Sequence, residues 1–158
     1  MSCLHKLTSL PKLISILQKE KKSGRKIVFT NGCFDILHVG HIRYLQKARS
    51  LGDILVIGLN KDSSVRVIKG PSRPINSQEN RAEVLSALSC VDHVVLFGES
   101  TPLGLIQKIR PDFLVKGGDW KKKEIVGSDV VESYGGKVRS LAFIVGFSTT
   151  KMINKAAN

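Results

Sequence analysis

The sequence predicts an α/β protein: a single doubly wound domain with about five parallel strands. Short, continuously apolar runs recur along the chain, beginning at residues 26–32 and 53–60. Continuous rather than alternating apolar character is typical of strands that are covered on both faces. Segments with the apolar spacing of amphipathic helices separate these runs. A strand, a helix and a second strand in succession imply a parallel pair with a right-handed crossover.

The order of the predicted elements follows from these patterns. Residues 1–25 are predicted as an N-terminal segment that forms an amphipathic helix, with Pro11 in the first turn, and the main domain is predicted over residues 26–158. Ser77 is the predicted N-cap of a central helix. Strands are predicted at 26–32, 53–60, 92–98, 112–118 and 137–143, and helices at 41–51, 77–90, 101–110, 130–136 and 146–157. Residues 64–76 are predicted as a polar loop marked by proline and glycine. This alternation is that of a Rossmann-like fold.

Composition and charge limit the classes of ligand that this chain could bind. The chain has 158 residues, of which 42% are hydrophobic and 24% charged, as in an ordinary globular domain. The formal net charge of +12 favours polyanions or phosphorylated small molecules as partners. The lysine clusters of the first helix and of residues 121–123 are not interleaved with aromatic residues. A groove for single-stranded nucleic acid needs such aromatics, so nucleic acid is a minor alternative.

Neither a membrane span nor a secretory leader is expected. No apolar run approaches the ~18 residues that a span needs, and the N-terminus lacks the apolar centre and cleavage site of a signal peptide. We therefore expect a cytoplasmic protein without a membrane partner. The three cysteines are far apart and odd in number, which argues against a disulfide framework or a zinc site.

Candidate binding residues follow the predicted strands. Ligands of doubly wound sheets bind beyond the carboxyl ends of the strands. The polar residues and glycines at these ends are therefore candidates for binding a phosphate-bearing ligand. After the first strand they are Thr30, Asn31, Gly32, Phe34 and Asp35, and later in the chain they are Lys69, Arg73, Asp119, Ser148, Thr149 and Thr150.

His38 and His41 are the most informative pair. They follow the first strand in the segment VFTNGCFDILHVGHIRYL. If the helix begins near Val39, both imidazoles lie on one face at its N-terminus, where backbone N–H groups and the helix dipole favour an anion. Both can then donate hydrogen bonds to the oxygens of one phosphorus atom. Metal binding is the weaker interpretation, because this spacing without a third nearby ligand is a poor zinc signature.

Three further features fit a phosphate site but also have structural explanations. The hydroxyls of residues 148–150 open the last helix, where one would suffice as an N-cap and the surplus favours a phosphate cradle. Lys69 and Arg73 could close over a phosphorylated substrate, although cations in loops are commonly just solvated. Asp119 could contact a ribose, a base or a metal ion, or could cap a turn.

These motifs carry a resemblance to a known family. GCFDILHVGH resembles the H-x-G-H signature of the nucleotidyltransferase superfamily that includes cytidylyltransferases and pantetheine-phosphate adenylyltransferases. GFSTT resembles the second signature of its cytidylyltransferase branch, and the likeness extends from Lys26 to Lys155. FTNGCFDILHVGH, KGPSRP, NRAEVLSAL, VKGGDW and GFSTT together are most similar to the heptose 1-phosphate adenylyltransferases. The resemblance implies their stand-alone form, without the kinase half of the bifunctional proteins.

The resemblance implies a reaction and a set of contacts. A sugar 1-phosphate attacks the α-phosphorus of ATP, with Mg²⁺ assisting, to give pyrophosphate and ADP-heptose for the lipopolysaccharide core. His38 and His41 stabilise the pentavalent phosphorus, and Lys69 neutralises its charge. The implied nucleotide contacts are Gly32, Phe34, Arg81, Asp119, Ser148, Thr149 and Thr150. Asp35 and Arg73 are the candidates for the second substrate, and a homo-oligomer is expected from the family.

Two alternatives stay open at this point. A cytidylyltransferase for a small polyol phosphate, such as glycerol 3-phosphate, shares the mechanism. Such enzymes usually have an arginine where this chain has Ser89, three residues before Asp92, and a threonine in place of Cys33. A basic RNA-binding module on the same scaffold would instead lose affinity steeply with salt.

Overall fold

A computed structural model describes residues 3–118, 120–142 and 153. Within them, six α-helices and five β-strands alternate, with short 3₁₀ turns at Cys3–Lys6 and Lys122–Glu124. The helices are α1 (Leu10–Lys22), α2 (Val39–Arg49), α3 (Asp62–Lys69), α4 (Gln78–Ser86), α5 (Leu103–Ile109) and α6 (Ser128–Ser133). The strands are β1 (Ile27–Gly32), β2 (Ile54–Asn60), β3 (His93–Phe97), β4 (Phe113–Gly117) and β5 (Lys137–Leu141).

The five strands form one parallel sheet in the order β3-β2-β1-β4-β5. The chain winds from β1 to one edge and then returns to β4 on the other side, so the winding order reverses between β1 and β4. The predicted doubly wound α/β fold with five parallel strands is confirmed. Ligands of such sheets bind beyond the carboxyl ends of the strands at this reversal. A site is therefore expected beside the ends of β1 and β4.

Helices cover both faces of the sheet. One core packs α1, α5 and α6 against strand side chains such as Phe29 and Val56. The other packs α2 and α4 against side chains that include Val28 and Leu55. Successive residues of one strand thus enter opposite cores, and all seven residues of β2 are buried. This two-sided burial explains why the strands are continuously apolar in the sequence.

The N-terminal helix α1 is packed into this fold. Pro11 lies in its first turn, and Leu13 and Leu17 are buried in the same core as α5. Its lysines Lys12 and Lys19 are exposed on the outer side. In the structure, α1 packs in the same hydrophobic core as α5 and one face of the sheet. The domain boundary predicted after residue 25 stays a prediction.

The polar loop predicted at residues 64–76 is wrong over its first half, because Asp62–Lys69 forms α3. Val65 is buried against the sheet, whereas Val67 and Ile68 are 84% and 49% exposed. The helix ends at Gly70, whose φ of 100° suits glycine. The prediction depends on Gly70, Pro71 and Pro74, which follow the helix and mark only the second half of the segment as a loop.

Three aspartates align the strands at the amino end of the sheet. Each precedes a strand, and each carboxylate accepts a hydrogen bond from a backbone N–H at the start of a neighbouring strand. The pairs are Asp53 with Lys26 (2.7 Å), Asp92 with Leu55 (2.8 Å) and Asp112 with Ile27 (2.8 Å). These bonds satisfy donors that the sheet ladder leaves open. They fix the relative heights of the strands, and therefore the positions of their carboxyl ends.

Candidate active site

A cavity of about 620 Å³ opens at the carboxyl ends of the strands. It lies between the β1–α2 loop, the end of α3, the β3–α5 loop and the end of β4. Eight residues predicted from the sequence line it: Asn31, Gly32, Phe34, Asp35, His38, His41, Lys69 and Arg73. The structure therefore brings most of the predicted site together at the reversal between β1 and β4.

The two histidines form a stacked pair at the start of α2. His38 is the N-cap, and His41 lies in the first turn, where its backbone N–H donates to the His38 carbonyl (2.9 Å). The ring centroids are 3.9 Å apart, with an interplanar angle of 28°. The turn that starts the helix thus also brings the imidazoles together. Both line the cavity at the positive end of the helix, where an anion is favoured.

Burial keeps these histidines neutral near pH 7. Desolvation, with a smaller contribution from the neighbouring His38, lowers the pKa of His41 to about 4. Burial also lowers the pKa of His38. Among the described residues, Nδ1 of His41 is buried without a hydrogen-bond partner. Two neutral imidazoles can stack without charge repulsion, and each can donate an N–H to a phosphate oxygen.

The stability of the protein is expected to fall as the pH drops from about 6.5 to about 4. In the unfolded chain His41 titrates near 6.5, whereas in the fold its pKa is about 4. Within this window the unfolded state binds more protons, and proton linkage then favours unfolding. Above about pH 6.5 His41 is neutral in both the folded and the unfolded chain, so its titration no longer lowers the free energy of unfolding. Urea unfolding midpoints measured across the window check this expectation.

His41→Asn isolates the contribution of this residue. The variant is expected to show a flatter pH dependence of the unfolding midpoint in the same window. The pKa values of His38 and His93 are also lowered by burial, but these groups are present in both proteins. The difference between the two curves therefore reports His41 and its coupling to His38. Identical curves would contradict the assigned neutral state.

The β1–α2 loop supports the histidines through a strained turn. Phe34 has a φ of 45°, in the left-handed region that costs a non-glycine residue energy. Its ring packs over Gly32, where an added Cβ would lie 3.0 Å from the ring. The same ring meets the His41 imidazole edge-on, with centroids 5.4 Å apart. Gly32 therefore leaves the space in which Phe34 supports His41.

Asp35 anchors the loop between α3 and α4, which carries Arg73. It is 4% exposed, and its carboxylate accepts hydrogen bonds from Nε of Arg73 (2.6 Å) and from the backbone N–H groups of Ile75 and Asn76 (2.9 Å each). Burial by itself raises the pKa of Asp35, but the three donors together outweigh it and lower the pKa. Asp35 lines the cavity, but both of its carboxylate oxygens already accept hydrogen bonds from protein N–H groups. It holds the loop in place.

Three basic side chains line the cavity: Lys69, Arg73 and Lys116. Arg73 forms an ion pair with Asp35, so these two charges offset each other. Lys69 ends α3, and Lys116 lies one residue before the end of β4. The described lining thus has more positive than negative charge, which suits a ligand with several negative charges.

Two predicted contacts lie behind the cavity wall. Arg81 is 2% exposed, and its guanidinium donates to the carbonyl of Cys33 (2.6 Å) and to Asp62 (2.7 Å). Thr30 is 0% exposed, and its hydroxyl lies 2.6 Å from the hydroxyl of Tyr44. Neither residue lines the cavity. The structure places both where they support the wall: Arg81 joins α3 and α4 to the β1–α2 loop, and Thr30 joins β1 to α2.

The remaining predicted contacts lie outside the described residues. These are Asp119, Ser148, Thr149 and Thr150, together with the C-terminal helix predicted at 146–157 apart from Ile153. Their assignment to the nucleotide and its phosphates stays a prediction.

Some lining residues were missed by the sequence reasoning. Lys116 interrupts an otherwise apolar strand, and a charge at a buried strand position is a signal that could have found it. Ser100 and Thr101 line the cavity from the loop after β3, where the same strand-end argument applies. Trp120, which the strand-end argument does reach because it follows β4, also lines the cavity, and its indole N–H donates to the Gly117 carbonyl (3.0 Å).

The part of the chain that the structure describes has neither a membrane-spanning helix nor a three-ligand metal cluster. No helix there is both long and apolar enough to cross a bilayer. No cluster of three or more His, Cys, Asp or Glu side chains is placed there to hold a metal ion.

Comparison with known sequences decides the family. The sequence profile described as cytidylyltransferase-like matches residues 29–154, which include both histidines and the cavity wall. The chain belongs to the cytidylyltransferase-like family. The predicted membership of the H-x-G-H nucleotidyltransferase superfamily is confirmed, and with it a nucleotidyltransferase role.

Curated relatives of this cytidylyltransferase-like chain include several proteins named bifunctional protein HldE. That of Syntrophotalea carbinolica is 57% identical over 143 residues, which are 90% of this chain and 29% of the relative. That of Campylobacter concisus is 58% identical over 151 residues, which are 96% of this chain and 31% of the relative. The chain thus spans less than a third of the length of the relatives that it matches.

Solved structures share the fold. A lipopolysaccharide core biosynthesis protein from Thermoplasma volcanium has a TM-score of 0.62 and 29% identity, covering 77% of this chain and 98% of that protein. Pantoate-beta-alanine ligase from Francisella tularensis has a TM-score of 0.60 and 16% identity, covering 94% of this chain and 76% of the ligase. The second likeness concerns the fold alone.

Proposed function

We propose that this chain transfers the adenylyl group of ATP to a heptose 1-phosphate, giving ADP-heptose and pyrophosphate for lipopolysaccharide core synthesis. The observation that carries the proposal is the stacked pair His38 and His41 at the N-terminus of α2, in one cavity with three basic side chains. The identity to the HldE proteins and the name of the Thermoplasma volcanium protein support the choice of substrate.

The proposed transfer depends on positioning and charge rather than on proton transfer. As the sugar phosphate attacks, negative charge grows on the oxygens of the α-phosphorus. The N–H groups of His38 and His41 and the first amides of α2 stabilise this charge. Lys69 and Arg73 offset the charge of the neighbouring phosphates. These contacts are worth most at the transition state, where the charge is largest.

Mg²⁺ accompanies ATP in the proposed reaction. Within the described ranges, potential protein ligands do not cluster as a metal site, and both carboxylate oxygens of Asp35 already accept N–H donors. The described residues would therefore leave Mg²⁺ to be carried mainly by ATP. Mg²⁺ bound in this way supplies further charge neutralisation. A cytoplasmic location and a homo-oligomeric state stay predictions.

Pyrophosphate release by the purified chain tests the proposal. One reaction contains ATP, Mg²⁺ and heptose 1-phosphate, and a parallel reaction contains CTP, Mg²⁺ and glycerol 3-phosphate. We expect release with the first pair and background release with the second. Each substrate omitted in turn separates transfer from plain hydrolysis of the nucleotide.

The other outcomes separate substrate from mechanism. Release with only the CTP pair would keep the mechanism and overturn the sugar and the nucleotide. Release with neither pair would contradict the proposed function. A salt-dependent RNA titration on the same preparation would then test the basic surface as a binding module.

A further inference from the structure

Lys116 stands at the junction of two spaces in the active site. It lines the cavity described above and also a smaller recess of about 160 Å³ beside His41. The recess is bounded by Tyr44 and Gly117 as well, so it lies between α2 and the end of β4. A side chain in this position can contact ligand groups in both spaces.

The charge of Lys116 has no protein counter-ion in the described part of the chain. The salt bridges there do not include it, and no described acceptor receives a hydrogen bond from its Nζ. Burial is the main cause that lowers the pKa of this ammonium group; Cys33 opposes it when ionised, and the nearby Lys69 lowers the pKa further. Asp35, the one carboxylate among the described residues that line the cavity, is already paired with Arg73. Lys116 is partly buried and the nearby Lys69 is exposed, and neither forms an ion pair among the described residues. Two such cations are stabilised when an anion binds between them.

The proposed reaction supplies such an anion. An oxygen of the acceptor phosphate attacks the α-phosphorus of ATP and forms a new P–O bond. The bond from that phosphorus to the bridging oxygen of the β-phosphate breaks, and its electron pair leaves with pyrophosphate. Two negatively charged phosphates must therefore approach to bonding distance, and a cation between them offsets their repulsion.

We propose that Lys116 binds the phosphate of the acceptor and holds it against the phosphorus atom that His38 and His41 contact. The inference rests on the proposed function and assigns to the acceptor a binding residue in that same site. The assignment explains why a charged side chain, Lys116, lies near the carboxyl end of the interior strand β4.

The location of Lys116 on a strand favours it over the other two cations for this role. Arg73 uses its Nε on Asp35, and Lys69 lies at the end of a short helix, next to Gly70. Lys116 is instead held by the sheet, where β4 pairs with β1 and β5 and Lys116 itself is aligned with Ser140. A group on a rigid strand can fix an attacking oxygen more closely than one on a loop.

Lys116→Met tests the proposal, with Lys47→Met as the matched control. Lys47 is an exposed lysine on α2 that does not line the cavity. Affinities for heptose 1-phosphate and for ATP are measured separately by calorimetry. We expect Lys116→Met to weaken heptose 1-phosphate binding by about 30-fold or more, with ATP affinity and the control within about threefold of wild type. The melting temperature of Lys116→Met should not fall, because the variant removes a partly buried charge that has no counter-ion among the described residues.

The outcomes decide the assignment. Unchanged affinity for heptose 1-phosphate in Lys116→Met would overturn it, as would a loss confined to ATP. Should Lys116→Met be poorly folded, Lys116→Gln replaces it under the same criteria. If wild type neither binds nor uses heptose 1-phosphate, the proposed function fails, and inorganic phosphate followed by ³¹P NMR becomes the probe. Phosphate binding that wild type shows and Lys116→Met lacks would still support Lys116, whereas equal binding or none in wild type would overturn it.

Discussion

Replacing His41 with alanine is expected to reduce kcat for pyrophosphate release by about 100- to 1,000-fold, with little change in unfolding temperature. Loss of one donor that faces developing charge has an effect of this size in other enzymes. His41 is flanked by the Phe34 ring and stacked on His38. Removing the His41 ring therefore also removes a packing contact that holds His38 in position. The losses in kcat caused by His41→Ala and by His38→Ala are expected to be less than additive in the double variant.

His93→Ala is the matched control for this measurement. His93 also has a pKa lowered by burial and a buried Nδ1 without a hydrogen-bond partner among the described residues. It lies at the first residue of β3, at the end of the sheet opposite the cavity. We expect its kcat to stay within about twofold of wild type. Near-normal turnover in His41→Ala, or an equal loss in His93→Ala, would contradict the role assigned to the pair.

The sheet could be predicted from the sequence because its strands are buried on both faces. Such strands stand out as continuous apolar runs, as in β2, and the intervening helices then dictate parallel pairing. The N-cap Ser77 was also predictable, and its side chain accepts a hydrogen bond from the Asn80 N–H. Helix α3 was missed because the prediction gives most weight to Gly70, Pro71 and Pro74, which directly follow the helix and mark only the second half of residues 64–76 as a loop.

The site was predictable where local geometry determines it. The spacing of His38 and His41 at a helix start leads directly to two adjacent rings. Arg81 could not be placed in this way, since an arginine in a polar helix looks exposed in the sequence. Its burial depends on acceptors that come from distant parts of the chain, Cys33 and Asp62. Long-range pairing of this kind is decided by the tertiary fold and leaves no local pattern.

Asp35→Ala is expected to destabilise the fold by about 3–5 kcal/mol, because removing one partner leaves a buried charge uncompensated. The side chain of Arg73 is only 15% exposed and would lose its ion pair. The backbone N–H groups of Ile75 and Asn76 would lose their acceptor at the same time. Urea unfolding at constant m-value measures the change. Activity should fall as well, because the loop that carries Arg73 no longer has its anchor.

A control variant and a double variant separate this anchor from an ordinary surface aspartate. Asp53 also accepts a backbone N–H, from Lys26 at 2.7 Å, but it is exposed at the opposite end of the sheet, so Asp53→Ala should cost only about 1 kcal/mol. The double variant Asp35→Ala, Arg73→Met lacks both charges of the ion pair, so no unpaired arginine is left buried. The double variant should therefore recover part of the lost stability while its activity stays low. If Asp35→Ala costs no more than Asp53→Ala, or if the double variant is no more stable than Asp35→Ala alone, the buried pair is not what holds the loop.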